Sequence, residues 1–244
     1  MRLNRYLASC GVCSRREADA LIAAGRVKVN GIVAETGAAA CPEMGDVITL
    51  DGRPVKPQKK VMIALYKPVG VVSGTSHKDR AMTVTDLVQT DERLFPVGRL
   101  DKDSEGLMLL TNMGDLSERI AKAGTRHEKE YEVTVKKPVT EGFLHRMAKG
   151  VYITLEAKPG REGNSGEYRY LTKPAKVKKL GDSSFSIILT EGKNRQIRKM
   201  CEELGNRVTN LKRIRMVNIV LGDLAPGKWR RLAGEEIEEL EKTL

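Results

Sequence analysis

The run FPVGRLDKDSEGLMLLTN, Phe95 to Asn112, places Arg99, Asp101, Lys102, Asp103 and Glu105 ahead of a short apolar segment, Leu107 to Leu110. Asp101 follows the apolar stretch PVGRL and precedes a buried strand, so part of its water must be removed. A partly desolvated carboxylate either pairs with a cation or tunes its pKa for acid–base or nucleophilic work. A structural ion pair or turn cap is the alternative. Asp103 and Glu105 are expected to be solvated.

A second cluster lies in EGKNRQIRKMCEELG, where Lys193, Arg195, Arg198 and Lys199 surround the start of a helix. Cations there oppose the helix dipole, which favours them at the C-terminus, so an anionic partner would offset the penalty. A solvated charged face is the competing reading. Tyr131 alternates with Val133 and Val135 on one strand face, which suits a core tyrosine or, in an RNA-facing cleft, a ring stacked on a base.

Other chemistries lack their signatures. The chain contains no G-x-x-x-x-G-K-[ST], no G-x-G-x-x-G and no H-E-x-x-H. Phosphate-cradling loops, dinucleotide binding and zinc hydrolysis therefore have no support. His77, His127 and His145 offer no evident Ser/His/Asp triad, and Cys10-x-x-Cys13 has no second ligand pair at metal spacing. Small residues packed in a helical turn explain that C-x-x-C as well as a redox pair or half a zinc site.

The elements that position these groups follow from pattern. Leu3, Leu7 and Cys10 fall at helical spacing before Gly11. Ser14 with Glu17 forms a capping box for a second helix that Gly25 stops. Arg15 and Arg16 then occupy its first turn, where free N–H groups favour an anion such as phosphate. Asn30-Gly31 and Asp51-Gly52 mark two short hairpins.

VKPQKK reads as a linker, giving an N-terminal domain of residues 1–55, a linker of 56–60 and a larger domain of 61–244. Strands are predicted over VMIALYKP, LMLLT, EKEYEVTV and SFSIILTEG, and over Ala175 to Lys179, Val208 to Arg215 and Val217 to Leu221. Helices are predicted over GDLSERIAKA, TEGFLHRMAKG, the segment from Asn194 to Leu204 and GEEIEELEKTL. This order suggests an α+β fold with a mixed, mostly antiparallel sheet.

The 244 residues carry 43 Lys and Arg against 32 Asp and Glu, a net charge of +11. Such an excess favours a polyanionic partner. No apolar run approaches the roughly 18 residues of a membrane-spanning helix, and the N-terminus lacks a secretory signal pattern, so the cytoplasm is expected. Four cysteines are too few and too irregularly spaced for a disulfide framework. A DNA-binding regulator would fit the charge alone.

Two resemblances sharpen these readings. RLNRYLASCGVCSRREADALIAAGRVKVNG resembles an S4 domain, a small RNA-binding module, which implies that Arg15 and Arg16 face structured RNA. GRLDKDSEGLMLLTNMGDL, HEKEYEVTV and LTEGKNRQIRKMCEELG, in that order, resemble the bacterial ribosomal RNA pseudouridine synthases of type A (small-subunit) and of types B, E and F (large-subunit). Within that group, the wording is most similar to the large-subunit synthase of type F.

The resemblance covers essentially the whole chain. It implies that Asp101 is the essential aspartate, that Arg99 contacts RNA near the extruded nucleotide and that Tyr131 packs on the target uracil. It further implies that Arg198 pairs with the aspartate and that Ile197 lies beside the base, with Gln196, Lys193 and Arg195 as RNA contacts. The implied reaction converts uridine to pseudouridine in ribosomal RNA, expected to be 23S, with tRNA as a second substrate. It calls for no metal and no nucleotide cofactor. An inactive RNA-binding assembly factor and a small-subunit 16S enzyme are the alternatives. A monomer without a membrane partner is expected.

Replacing Arg15 and Arg16 together by glutamate is expected to weaken binding to folded ribosomal RNA and to flatten its salt dependence, with the rest of the chain folded. Binding titrations at several salt concentrations measure both. Unchanged affinity would remove this helix from recognition.

Overall fold

Ser14 starts a helix whose first turn is closed on both sides. Its Oγ accepts from the Glu17 amide at 3.2 Å, and its own amide donates to the Glu17 carboxylate at 2.7 Å. This box opens α2 (Arg15–Ala23), which packs on α1 (Leu3–Ser9). β1 (Val27–Val29) and β2 (Ile32–Val33) are joined by Asn30-Gly31, with φ of 52° and 83°, the twist that a tight hairpin requires. β3 (Ile48–Leu50) and β4 (Arg53–Pro54) repeat the device through Asp51-Gly52. The four strands form an antiparallel sheet in the order β2-β1-β3-β4. Leu3, Leu7, Ala18, Ile22, Val27 and Ile48 bury the apolar faces. Cys10 and Cys13 lie in this same core, and burial pushes both thiols up. The C-x-x-C is therefore packing.

The computed structural model describes residues 1–75, 81–122, 127–157 and 166–244. His77 and Ala123, the last residue of one predicted helix, lie outside them. Contacts divide the chain into two units: Met1–Met62 with Thr90–Phe95 and Thr111–Gly114, and Ile63–Gln89 with Pro96–Leu110 and Asp115–Leu244.

The main sheet is built from β5 (Met62–Lys67), β6 (Phe95–Pro96), β7 (Glu105–Thr111), β8 (Lys129–Val135), β11 (Lys176–Gly181), β12 (Ser184–Leu189), β13 (Val208–Met216), β14 (Ile219–Val220) and β15 (Trp229–Arg231). Between β8 and β11 runs a separate antiparallel pair, β9 (Tyr152–Glu156) and β10 (Glu167–Leu171). The path of the main sheet is β11-β12-β8-β13-β7-β5-β15, with β14 on β13 and β6 on β7. β13 pairs with β7 in parallel and with β8 antiparallel, so the sheet is mixed and mostly antiparallel. The helices are α3 (Gly114–Ala121), α4 (Glu141–Lys149), α5 (Gln196–Glu203) and α6 (Gly234–Thr243). The chain thus adopts the α+β class.

Leu107 to Leu110 of β7 are wholly buried, as a continuous apolar run must be when both of its faces are covered. Gly106 lets β7 approach β13. Its φ is 102°, and a Cβ there would sit 2.3 Å from the Arg213 carbonyl oxygen. α4, α5, β8, β9, β12 and β13 share one core, in which Phe143 and Phe185 meet edge to face at 5.6 Å.

Three local expectations change. The β9–β10 pair differs from expectation: β10 is largely exposed, so its alternating Tyr168 and Tyr170 mark no buried face. β15 was missed because Trp229-Arg230-Arg231 is too short and basic to read as a strand. The strand expected over Val217 to Leu221 shrinks to Ile219–Val220, since Val217 adopts a φ of 56° and turns the chain.

Candidate active site

The loop between β6 and β7 owes its shape to its backbone acceptors. Leu100 O accepts from Ser73 Oγ at 2.6 Å, and the same hydroxyl accepts from the Leu100 amide at 3.0 Å. Asp101 O accepts from the Ser104 amide at 3.1 Å, and Lys102 O from the Gly70 amide at 2.7 Å. Asp103 O accepts from Arg198 Nη2 at 2.8 Å, and Ser104 O from Lys67 Nζ at 2.6 Å. Five consecutive carbonyls are thereby satisfied. Charged donors make the last two bonds, which are stronger than neutral ones.

Asp101 rides on this loop with about a third of its side chain exposed. It borders a cleft of about 520 Å³ whose lining also includes Arg99, Lys129, Tyr131, Ile197 and Arg213. Register explains the grouping. Arg213 faces Tyr131 and Leu211 faces Val133 across β13 and β8, so Tyr131 lies on the same sheet face as the core valines. Tyr131 packs against that core while its ring borders the cleft. Ile197, from the first turn of α5, is 4% exposed and belongs to the same core. Arg99 is exposed at the rim.

The expected pairing of Arg198 with Asp101 gives way to a different arrangement. Arg198 is buried beneath the loop, where its Nε lies 3.4 Å from Asp103 Oδ2 and its Nη2 bonds Asp103 O and Ser104 Oγ. The guanidinium nearest Asp101 is Arg195, whose Nη1 lies 3.7 Å from Asp101 Oδ2. Arg195 also grips Asp103 with two parallel bonds of 3.1 and 3.0 Å. It can do so because it caps α5 in a left-handed conformation, φ 51°, which swings its side chain to the loop.

These bonds from Arg195, with the nearby Arg198 charge, hold the Asp103 carboxyl below its usual range, and the same partnership raises Arg195. Asp103 is accordingly an ionic clamp between loop and helix. Glu105, also expected to be solvated, accepts from Tyr66 Oη at 2.9 Å and Asn210 Nδ2 at 2.6 Å.

The cations at the start of α5 are likewise partnered. Lys193 Nζ sits 4.2 Å from the Tyr170 ring centre, and Lys199 Nζ donates to Thr154 O at 2.6 Å. Gln196, expected as an RNA contact, faces inward at 4% exposure: its Oε1 accepts from the Lys193 amide and its Nε2 donates to Glu191. Glu191 also accepts from Tyr170 Oη and the Lys173 amide, so Gln196 and Glu191 shape the loop before α5. Arg15 and Arg16 are exposed in the first turn of α2.

Lys67 went unnoticed in the sequence because it ends an apolar run. Its side chain is fully buried, and its Nζ bonds Pro68 O and Ser104 O. Burial pulls its pKa down to about 8, against the opposing pull of Asp101, Asp103 and Glu105. Among the described residues no cluster of three His, Cys, Asp or Glu could hold a metal, and no helix is long and apolar enough to cross a membrane.

Residues 61–203 match the family model described as RNA pseudouridylate synthase, and residues 1–48 match the S4 domain. The chain is 44% identical over 246 residues to the dual-specificity RNA pseudouridine synthase RluF of Salmonella typhi, covering all of this chain and 79% of that protein. It is 38% identical to an uncharacterized RNA pseudouridine synthase of Aquifex aeolicus, over all of this chain and 95% of the relative. A solved structure described as a pseudouridylate synthase superposes with a TM-score of 0.67 at 30% identity, over 98% of this chain and 99% of the other.

The Lys67 site makes stability depend on pH in a definite direction. Between pH 8 and 10.5 the unfolded chain keeps the lysine proton while the folded chain releases it, so stability rises with pH across that window. Urea unfolding from pH 7.5 to 10.5 is expected to show a gain in the native protein, relative to Lys67→Met, of roughly 3 kcal/mol. Parallel pH profiles for the two would place the ammonium in water.

Proposed function

This chain belongs to the RNA pseudouridine synthase family and isomerises uridine to pseudouridine in RNA, and from that premise we propose that Asp101 is the group that acts at the ribose. The reaction breaks the N1–C1′ bond of a uridine, turns the base while it is held, and joins C5 to C1′. Bonds broken and formed balance within one nucleotide. A carboxylate at the sugar and walls that retain the detached ring meet its main demands.

The observation that carries the proposal is the placement of Asp101 on a loop with every carbonyl from Leu100 to Ser104 engaged, beside the cleft lined by Tyr131 and Ile197. A reacting group held this way enters the reaction without first being ordered. Tyr131 and Ile197 pack on the two sides of the ring. Arg198 acts through the loop it anchors, and Arg195 supplies the positive charge beside the Asp101 carboxylate. Asp101 serves as nucleophile at C1′ or as base at the sugar.

Arg99, Lys193 and Arg195 meet the phosphates around the extruded nucleotide, whose flipping costs a few kcal/mol that cation contacts offset. Residues 1–55, with Arg15 and Arg16, bind structured RNA, 56–60 link, and 61–244 carry the reaction. The substrate is large-subunit ribosomal RNA, with tRNA as a second one; the relatives' name, dual-specificity RNA pseudouridine synthase, supports more than one RNA substrate. The protein works as a cytoplasmic monomer.

Asp101→Asn is expected to keep RNA affinity within about twofold and to lower pseudouridine formation by at least about four orders of magnitude, the scale on which loss of a catalytic carboxylate is felt. Carbodiimide mapping of ribosomal RNA transcripts reads the product. A mutant as active as the native enzyme would move the chemistry to another residue.

A further inference from the structure

β8 and β13 treat their two faces differently. On the face away from the cleft each cation has a carboxylate: Arg215 contacts Glu130 and Glu128 at 2.9 Å, and Lys212 lies 3.9 Å from Glu132. On the cleft face stand Lys129 and Arg213. Arg213 is opposite Tyr131, and Lys129 is two residues along the same strand from that tyrosine. Side chains so placed are neighbours.

Neither of these two has a carboxylate partner among the described residues. Arg213 is 1% exposed, its Nε donates to Leu107 O at 2.7 Å and its Nη2 approaches Met108 Sδ at 3.6 Å. Lys129 makes no side-chain hydrogen bond or ion pair with a described residue, and burial, then Arg213, pulls its pKa down. Two uncompensated like charges in a low-dielectric site are costly unless an anion arrives to meet them.

That anion is found in the chemistry of the base. Phosphates remain on the backbone at the rim, where exposed Arg99, Lys173 and Arg195 can meet them. Lys129 and Arg213 instead flank Tyr131, on the side of the ring. When N1–C1′ breaks, the bonding electrons go to N1 and spread to the O2 and O4 oxygens of uracil. This holds whether the Asp101 carboxylate attacks C1′ or removes a ribose proton. C5 then bonds C1′ as the C1′–O bond to Asp101 breaks, or as Asp101 returns the ribose proton; the C5 proton leaves and N1 takes up a proton, so no charge remains.

Building on the isomerase reading of this cleft, we infer that the Lys129 ammonium donates to a carbonyl oxygen of the detached uracil and stabilises its transient negative charge. Arg213, held by Leu107 O, adds its field from the adjacent position. Positive charge prearranged where negative charge develops is among the larger contributions an enzyme makes to a rate.

The test uses a stem-loop RNA containing the uridine mapped as the target, with either uridine or 5-fluorouridine at that position. K129M is expected to keep RNA affinity and to lower single-turnover cleavage of the uridine N1–C1′ bond about a hundredfold. Fluorine stabilises the base anion, so the same variant is expected to lose much less with 5-fluorouridine. K129R, which retains the charge, restores most of the rate on uridine, and K129Q gives the same comparison if K129M does not fold. An equal loss on both RNAs would overturn the inference. So would a loss of affinity that a neutral methylphosphonate at the target nucleotide reproduces, since this would assign Lys129 to a phosphate. Native enzyme that leaves uridine unchanged would remove the isomerase reading itself.

Discussion

The structure depends on how the backbone between Leu100 and Ser104 is satisfied. This segment carries the carboxylate proposed to react, and it cannot join a sheet or helix without losing its reach into the cleft. Its carbonyls instead receive Ser73, Ser104, Gly70, Arg198 and Lys67 in turn. A buried carbonyl left without a donor costs about 1–3 kcal/mol, and Leu100 and Ser104 are both buried, so the bonds from Ser73 and Lys67 in particular favour this loop conformation over its alternatives. The expense falls on Lys67, an ammonium with no exposure to water.

The loop brings two distant chain segments together through Asp103. Arg195 and Arg198 from the start of α5 both reach it, and their alignment depends on the left-handed backbone at Arg195. Cations at a helix N-terminus are unfavourable alone. Here a carboxylate 92 residues earlier in the chain offsets them, and the geometry that results presents Arg195 to Asp101 as well. On the sheet below, the same strands separate paired from unpaired cations by face. The ion pairs of Lys212 and Arg215 occupy one side, and Lys129 and Arg213, which have no carboxylate partner among the described residues, occupy the other.

Much of this was legible in the chain. The Ser14–Glu17 box and the Asn30-Gly31 and Asp51-Gly52 turns are local signals, and local geometry obeyed them. Alternation over β8 correctly put Tyr131 with Val133, because a buried face enforces a period of two. Asp101 stood out because it separates apolar runs. Partnerships across long sequence distances were not legible: Asp103 with Arg195, Glu105 with Asn210, Lys67 with Ser104. Nothing in the local pattern of Asp103 distinguishes a clamp from a solvated charge. Lys129 and Arg213 are illegible for the same reason, since only the folded sheet shows that no carboxylate among the described residues pairs with them.

The central claim, that a carboxylate fixed above a cationic cleft isomerises uridine in RNA, is tested most directly by mapping pseudouridine across total RNA from cells with and without this gene. The account predicts that one or a few uridines, in structured ribosomal RNA and tRNA, lose their modification when the gene is removed. Identical maps from the two strains would contradict it.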